Sequence, residues 1–194
     1  MNFSANCLYH VYNRGNDRQK IFFEEKNYIF FLNKLKNNVD GLCDILAYCL
    51  MPNHFHILIY VSEGSDGLKN LPNQNQQTLV RKIGTVLSSY SQAINKQEGK
   101  SGSLFQQKTK SKQLITESSA TTCFHYIHQN PLRSNLVKKL ENWPYSFFND
   151  FLSNKLSICN LARAKELLDI SDNPEQFFKD SYEVIDQGTI NDLS

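Results

Sequence analysis

Met51-Pro52-Asn53-His54-Phe55-His56-Ile57-Leu58-Ile59-Tyr60-Val61 is rich in β-branched and aromatic residues and reads as a strand. Alternate side chains of a strand share a face. His54, His56, Leu58 and Tyr60 then point one way, and Phe55, Ile57, Ile59 and Val61 the other. One face is fully apolar and suited to packing. The other presents two neighbouring imidazoles on a rigid support, a two-pronged ligand for a metal ion.

Cys43 to Leu50 reads as a second strand, and the short Met51-Pro52-Asn53 link makes the two an antiparallel hairpin. Leu8 to Tyr12 alternates weakly as a first strand, followed by the polar turn Asn13-Arg14-Gly15-Asn16-Asp17. Glu24 to Val39 has helical spacing, with Tyr28, Phe31, Leu32 and Leu35 on one stripe. Ser62 to Gln77 is polar and aperiodic and reads as a loop. Thr78 to Lys96 is the clearest helix: Leu79, Ile83, Val86, Leu87, Tyr90 and Ile94 recur every three or four residues.

Leu104 to Leu114 reads as extended or irregular, with Lys108, Lys110 and Lys112 alternating on one face. Thr116 is a helix cap, and the helix should stop or loosen near Gln129, because Pro131 disfavours helical geometry at Asn130. Trp143-Pro144 marks a turn. Two short helical patterns follow, Ser157 to Leu168 and Pro174 to Ile185. Strand, helix, hairpin, helix, strand, helix implies an α+β fold: a ferredoxin-like antiparallel sheet with helices packed on it, plus a short helical C-terminal extension. The division is a main domain over 1–150 and an acidic extension over 151–194.

The net charge of +2 conceals an asymmetry. Residues 1–165 carry 20 Lys+Arg and 11 Asp+Glu, a balance of +9; residues 166–194 carry 1 and 8, a balance of −7. A basic body suits a polyanionic partner. The acidic tail reads as a solvated surface, with folding over the basic site as the alternative. The five cysteines have no C-x-x-C spacing and read as buried thiols of a reducing compartment. No stretch nears the roughly 18 apolar residues of a membrane span. Met1 to Cys7 lacks the character of a signal peptide. A cytoplasmic protein with no membrane partner is expected.

Two histidines make an incomplete site. A hard cation also wants oxygen donors, and a reaction needs a nucleophile. The run Cys123-Phe124-His125-Tyr126-Ile127-His128-Gln129-Asn130 offers both. Tyr126 and Asn130, four apart, share a helix face. Tyrosine is a competent covalent nucleophile when helped by a nearby charge or base. Asn130 can donate an amide oxygen, and Gln129 is its substitute if Pro131 spoils the geometry. Plainer readings stand beside these. A lone His-x-His is more often structural, Tyr126 suits a half-buried core position, and the three lysines suit a solvated strand face. His125 and His128 read as surface or hydrogen-bonding residues, and His10 as structural. Tyr90 is a rival nucleophile, but its place in an apolar stripe favours packing.

Four motifs together resemble a known family. Tyr9-His10-Val11-Tyr12-Asn13-Arg14-Gly15-Asn16, Met51-Pro52-Asn53-His54-Phe55-His56-Ile57-Leu58, Gly102-Ser103-Leu104-Phe105-Gln106-Gln107-Lys108, and Tyr126-Ile127-His128-Gln129-Asn130-Pro131-Leu132-Arg133 with Trp143-Pro144-Tyr145-Ser146 resemble, in order, segments of REP-associated tyrosine transposases. The pattern spans residues 9–148 and leaves 149–194 outside. The resemblance implies single-tyrosine HUH endonuclease chemistry on single-stranded DNA with hairpin structure. It implies Mg²⁺ or Mn²⁺ held by His54, His56 and Asn130, with Tyr126 as nucleophile. Arg14, Lys108, Lys110, Lys112 and Arg133 are then phosphate contacts. The protein would act as a monomer or a homodimer. The alternatives are a binding module that keeps the fold without cutting, and a metal-dependent hydrolase of small substrates.

Overall fold

A computed structural model describes residues 1–62, 74–153 and 157–193. The strands are β1 (Cys7–Arg14), β2 (Cys43–Met51), β3 (His54–Val61) and β4 (Lys110–Leu114). The helices are α1 (Glu25–Val39), α2 (Gln74–Glu98), α3 (Glu117–Arg133), α4 (Phe148–Ser153), α5 (Leu161–Leu167), α6 (Pro174–Ser181) and α7 (Gln187–Leu193). The strands form one sheet in the order β2-β3-β1-β4, every neighbour antiparallel. This is the ferredoxin-like α+β arrangement that the element order implies.

The strand periodicity sets what each helix covers. Val11, Phe55, Ile57 and Ile59 meet Phe31 and Leu35 of α1 and Ile83 and Val86 of α2 on one face. α3 covers the opposite face at β2 and β3. That face carries the histidines, yet it is not reserved for chemistry: Leu58 is fully buried there, worth roughly 1.5–3 kcal/mol to the core. A register shift between Ile45 and Ala47 lets β2 be buried along nearly its whole length, facing both layers.

Helix ends follow local chemistry. Thr116 Oγ1 accepts from the Ser119 amide at 3.1 Å, as its cap position implies. Asn27 closes the start of α1 by accepting from the Phe23 and Glu24 amides, and its amide group donates to Gln97 on α2. Tyr90 lies in the aromatic cluster between the sheet and α1, fully buried, and donates to the Ile21 carbonyl at 2.8 Å.

Several boundaries differ from the sequence reading. α2 begins at Gln74, within the stretch read as a loop, because its apolar stripe starts only at Leu79 and periodicity cannot mark the polar first turn; the rest of that stretch, 63–73, lies outside the described residues. α3 runs through Pro131 to Arg133 instead of stopping near Gln129. Pro131 is in the last turn and buried, and the Ser134 and Leu136 amides satisfy the Asn130 and Pro131 carbonyls. The C-terminal patterns resolve into α5, capped by Asn160, then α6, with the unexpected α4 before them and α7 after. α5 packs on β2 and α6 on α3. Residues 145–147 run beside β2 through Leu50 N to Tyr145 O and Phe147 N to Tyr48 O, covering an otherwise open edge. All five cysteines are free; Cys43, Cys49 and Cys123 are buried as expected, and Cys7 and Cys159 half-buried.

The turn after β1 is tight. A Cβ on Gly15 would lie 2.1 Å from the Gln19 carbonyl oxygen, and Asp17 and Arg18 beyond it adopt left-handed backbone (φ 50° and 59°). Gly15→Ala is expected to cost about 1–3 kcal/mol through this clash. Thermal unfolding should register it as a drop of roughly 2–4 °C per kcal/mol; an unchanged midpoint would show that the turn relaxes freely.

Candidate active site

The pairing of β1 with β3 sets Tyr12 opposite His56 and Arg14 opposite His54. His54 is half-buried at the start of β3, and its Nδ1 lies 2.6 Å from Asn53 Oδ1. His56 is buried, with Nδ1 2.9 Å from His10 Nε2. Each ring therefore has Nδ1 engaged within the protein and Nε2 available, and the two rings lie 5.1 Å apart, edge to face. Burial holds the His54 pKa down to about 4, aided by the charge of Arg14. Burial also holds His56 well below the ordinary imidazole value, with His10, His54 and Arg14 adding to it. Both are neutral at neutral pH, the form that offers a lone pair to a cation.

α3 brings the other groups. Tyr126 is buried and presents its ring edge-on to His56 at 5.7 Å and to His10 at 6.0 Å. One turn on, Asn130 donates its amide N–H to the Tyr126 carbonyl at 2.9 Å, which leaves Oδ1 as the free end. His54, His56, Tyr126 and Asn130 line one cleft of about 590 Å³. Gln129 faces away, donating to the Ser181 and Glu183 carbonyls, so of the two amides only Asn130 reaches the cleft.

The cleft is strongly cationic. Arg14, Lys108, Lys110 and Arg133 line it, and among the described residues no carboxylate does. Lys110 also lies over the Tyr12 ring at 5.5 Å. Lys112 is elsewhere: its ammonium donates to the Asp192 carbonyl on α7. Lys108 precedes β4, so the three lysines do not form a single strand face. Tyr90 packs across the sheet from the cleft, which removes it as a rival to Tyr126. His125 and His128 are not surface residues. His125 contacts Ser181 Oγ at 3.1 Å, while His128 is buried beside Phe124, Phe147 and Phe148, with neither nitrogen bonded among the described residues.

Three contributors escaped the sequence reading. Tyr12 lines the cleft with its pKa raised by burial and by nearby Tyr126. Buried Asn13 donates to the Gln106 carbonyl and Thr109 Oγ1, tying the end of β1 to the segment that carries Lys108. Ile190 of α7 closes one side of the cleft, so part of the acidic extension does lie beside the basic site. Alternation along β1 puts His10, Tyr12 and Arg14 on one face, but only the strand order shows that this face adjoins His54 and His56.

The donor set suits a divalent cation. Among the described residues no three His, Cys, Asp or Glu side chains converge, so an ion here would take two imidazoles and oxygen from an amide, water or substrate. Nδ1 engagement of both rings is what ligating histidines ordinarily show. No described helix is long and apolar enough to cross a membrane.

No protein-family model matches the chain. A REP-associated tyrosine transposase of Haemophilus influenzae is 20% identical over 138 residues, covering 69% of this chain and 74% of that protein. A solved structure of a REP-associated tyrosine transposase bound to a REP hairpin superposes with a TM-score of 0.59 and 17% identity, covering 82% of this chain and 87% of that one. A bacterial tRNA(His) guanylyltransferase-like protein in complex with GTP reaches a TM-score of only 0.47 at 11% identity, over 70% and 67% of the two chains. The chain thus resembles the REP-associated tyrosine transposases in its four motifs and in sequence over 138 residues, and shares the fold of one of them.

Proposed function

We propose that this protein is a metal-dependent endonuclease and strand transferase of single-stranded DNA, acting at or near hairpins, with Tyr126 as its nucleophile. The observation that carries this is the convergence of Tyr126 and Asn130 with His54 and His56 in a cleft lined, among the described residues, by four cations and no carboxylate. A phosphodiester strand, with its repeated negative charges, fits such a cleft, whereas a neutral substrate has no special claim on it. The solved relative bound to a REP hairpin supports a hairpin as the DNA form.

Arg14, Lys108, Lys110 and Arg133 hold the strand by its phosphates. Tyr126 Oη attacks phosphorus and loses its proton to solvent. The bond from phosphorus to the 3′ oxygen breaks, and that oxygen takes the electron pair and a proton from water. The products are a 5′-phosphotyrosine and a free 3′-OH. One phosphoester replaces another, so a second 3′-OH can reverse the step and join strands. His54, His56 and Asn130 Oδ1 would hold Mg²⁺ or Mn²⁺, which supplies charge stabilisation at the phosphate. Tyr126 depends on such help because tyrosine is a covalent nucleophile only when activated by a nearby charge or base.

The test is incubation with labelled hairpin-bearing single strands and Mn²⁺, resolved on a denaturing protein gel. A slower-migrating adduct is expected from the parent and from Tyr90→Phe, and none from Tyr126→Phe. An adduct from Tyr126→Phe would overturn the assignment, and hairpin binding by a parent that forms no adduct would point to a non-cleaving module.

Phosphate contacts are checked separately by salt dependence. Each of Lys108→Ala and Arg133→Ala should reduce the slope of log affinity against log salt by about 0.7, the value for one single-strand phosphate contact. Lys112→Ala should leave the slope unchanged, since its ammonium is engaged by Asp192. Equal effects at all three positions would mean the cleft does not define the strand path.

A further inference from the structure

We infer that His10 is a positioning residue for the metal site: it holds His56 through Nδ1 and so fixes Nε2 as the nitrogen offered to the ion. The inference rests on the metal site proposed above. His10 lies on β1 opposite Leu58, one diagonal step from His56 on the neighbouring strand. Its Nε2 is 2.9 Å from His56 Nδ1, and both side chains are buried. The His10, Tyr12 and His56 rings are near parallel and mutually adjacent, with centroids 4.7 Å (His10–Tyr12), 5.0 Å (His10–His56) and 5.8 Å (Tyr12–His56) apart.

The direction of that bond follows from the chemistry of neutral imidazole, which carries one proton and one lone pair on its two nitrogens. If His56 Nε2 is to offer its lone pair, its proton stays on Nδ1 and is donated to His10 Nε2. His10 must then accept at Nε2 and carry its own proton on Nδ1. That Nδ1 has no partner within hydrogen-bond geometry among the described residues, although the Leu193 backbone faces the ring. An imidazole buried here with only the Leu193 backbone, at the edge of hydrogen-bond range, facing its Nδ1 costs free energy that a leucine or phenylalanine would avoid. Packing therefore does not explain a histidine here, whereas an acceptor for His56 does. His54 shows the same design, with Asn53 Oδ1 in the place of His10.

The test compares the parent with His10→Phe, which keeps bulk but cannot accept, and with His10→Gln, which can. His10→Leu repeats the first comparison if the larger ring perturbs the fold. Two readouts are taken without DNA. Imidazole ¹⁵N NMR of the metal-free protein is expected to show His56 as the Nδ1–H tautomer in the parent and His10→Gln, and as a mixture in His10→Phe. Titration with Mn²⁺ alone is expected to show binding weakened about 10- to 100-fold in His10→Phe. His10→Gln should recover most of it, and hairpin affinity and the unfolding midpoint should hold near the parent's. Equal Mn²⁺ affinity and the same His56 tautomer in parent and His10→Phe would overturn the inference while leaving the metal site standing. No Mn²⁺ binding by the parent, or binding indifferent to His54→Ala, would instead overturn the metal site itself, and the inference with it.

Discussion

The register of β1 against β3 is the constraint on which the remaining geometry depends. With Tyr12 opposite His56 and Arg14 opposite His54, the two imidazoles, their partner His10 and a cation lie on one face. Slipping the pair by one residue would send both histidines into the layer under α1 and α2 and bring Phe55 and Ile57 to the cleft. The slip is opposed by everything buried on that apolar face, where Phe31, Phe55, Ile57 and Val86 interdigitate. Hydrophobic packing on one side of the sheet thus aims the chemistry on the other.

α3 serves both purposes at once. Its buried residues, among them Cys123, Phe124 and Ile127, complete the core, while Tyr126 and Asn130 face the cleft. Its passage through Pro131 matters for the same reason. Had the helix ended at Gln129, Asn130 would not stand one turn beyond Tyr126 with its amide on the Tyr126 carbonyl. The buried polar groups here are neutral imidazoles, a phenol and an amide, which tolerate burial far better than charges. The cations stay at the rim: Arg14, Lys108, Lys110 and Arg133 are all exposed while lining the cleft.

Much of this was legible in the residues. The alternation from His54 to Val61 separates the two faces, the three-residue link gives the hairpin, and the Tyr126–Asn130 spacing gives a shared helix face. What was not legible depended on strand order or on long-range packing. His10 and Tyr12 are site residues only because β1 lies next to β3, which no local pattern encodes. Lys112 looked like its neighbours Lys108 and Lys110 until α7 supplied the Asp192 carbonyl. His128 read as a surface or hydrogen-bonding residue, yet a pocket of phenylalanines encloses it. α7 carries little apolar periodicity of its own, and its place beside the cleft comes from Ile190 and Leu193, both buried.

The central claim is that one side chain, Tyr126, becomes covalently joined to DNA above the two imidazoles. Mass-spectrometric mapping of the protein–DNA adduct tests it most directly, because cleavage after Lys112 and Arg133 releases a peptide, 113–133, in which Tyr126 is the only tyrosine. The account predicts a nucleotide mass on this peptide, localised to Tyr126. The same mass on any other peptide, or on a different residue of this one, would contradict it.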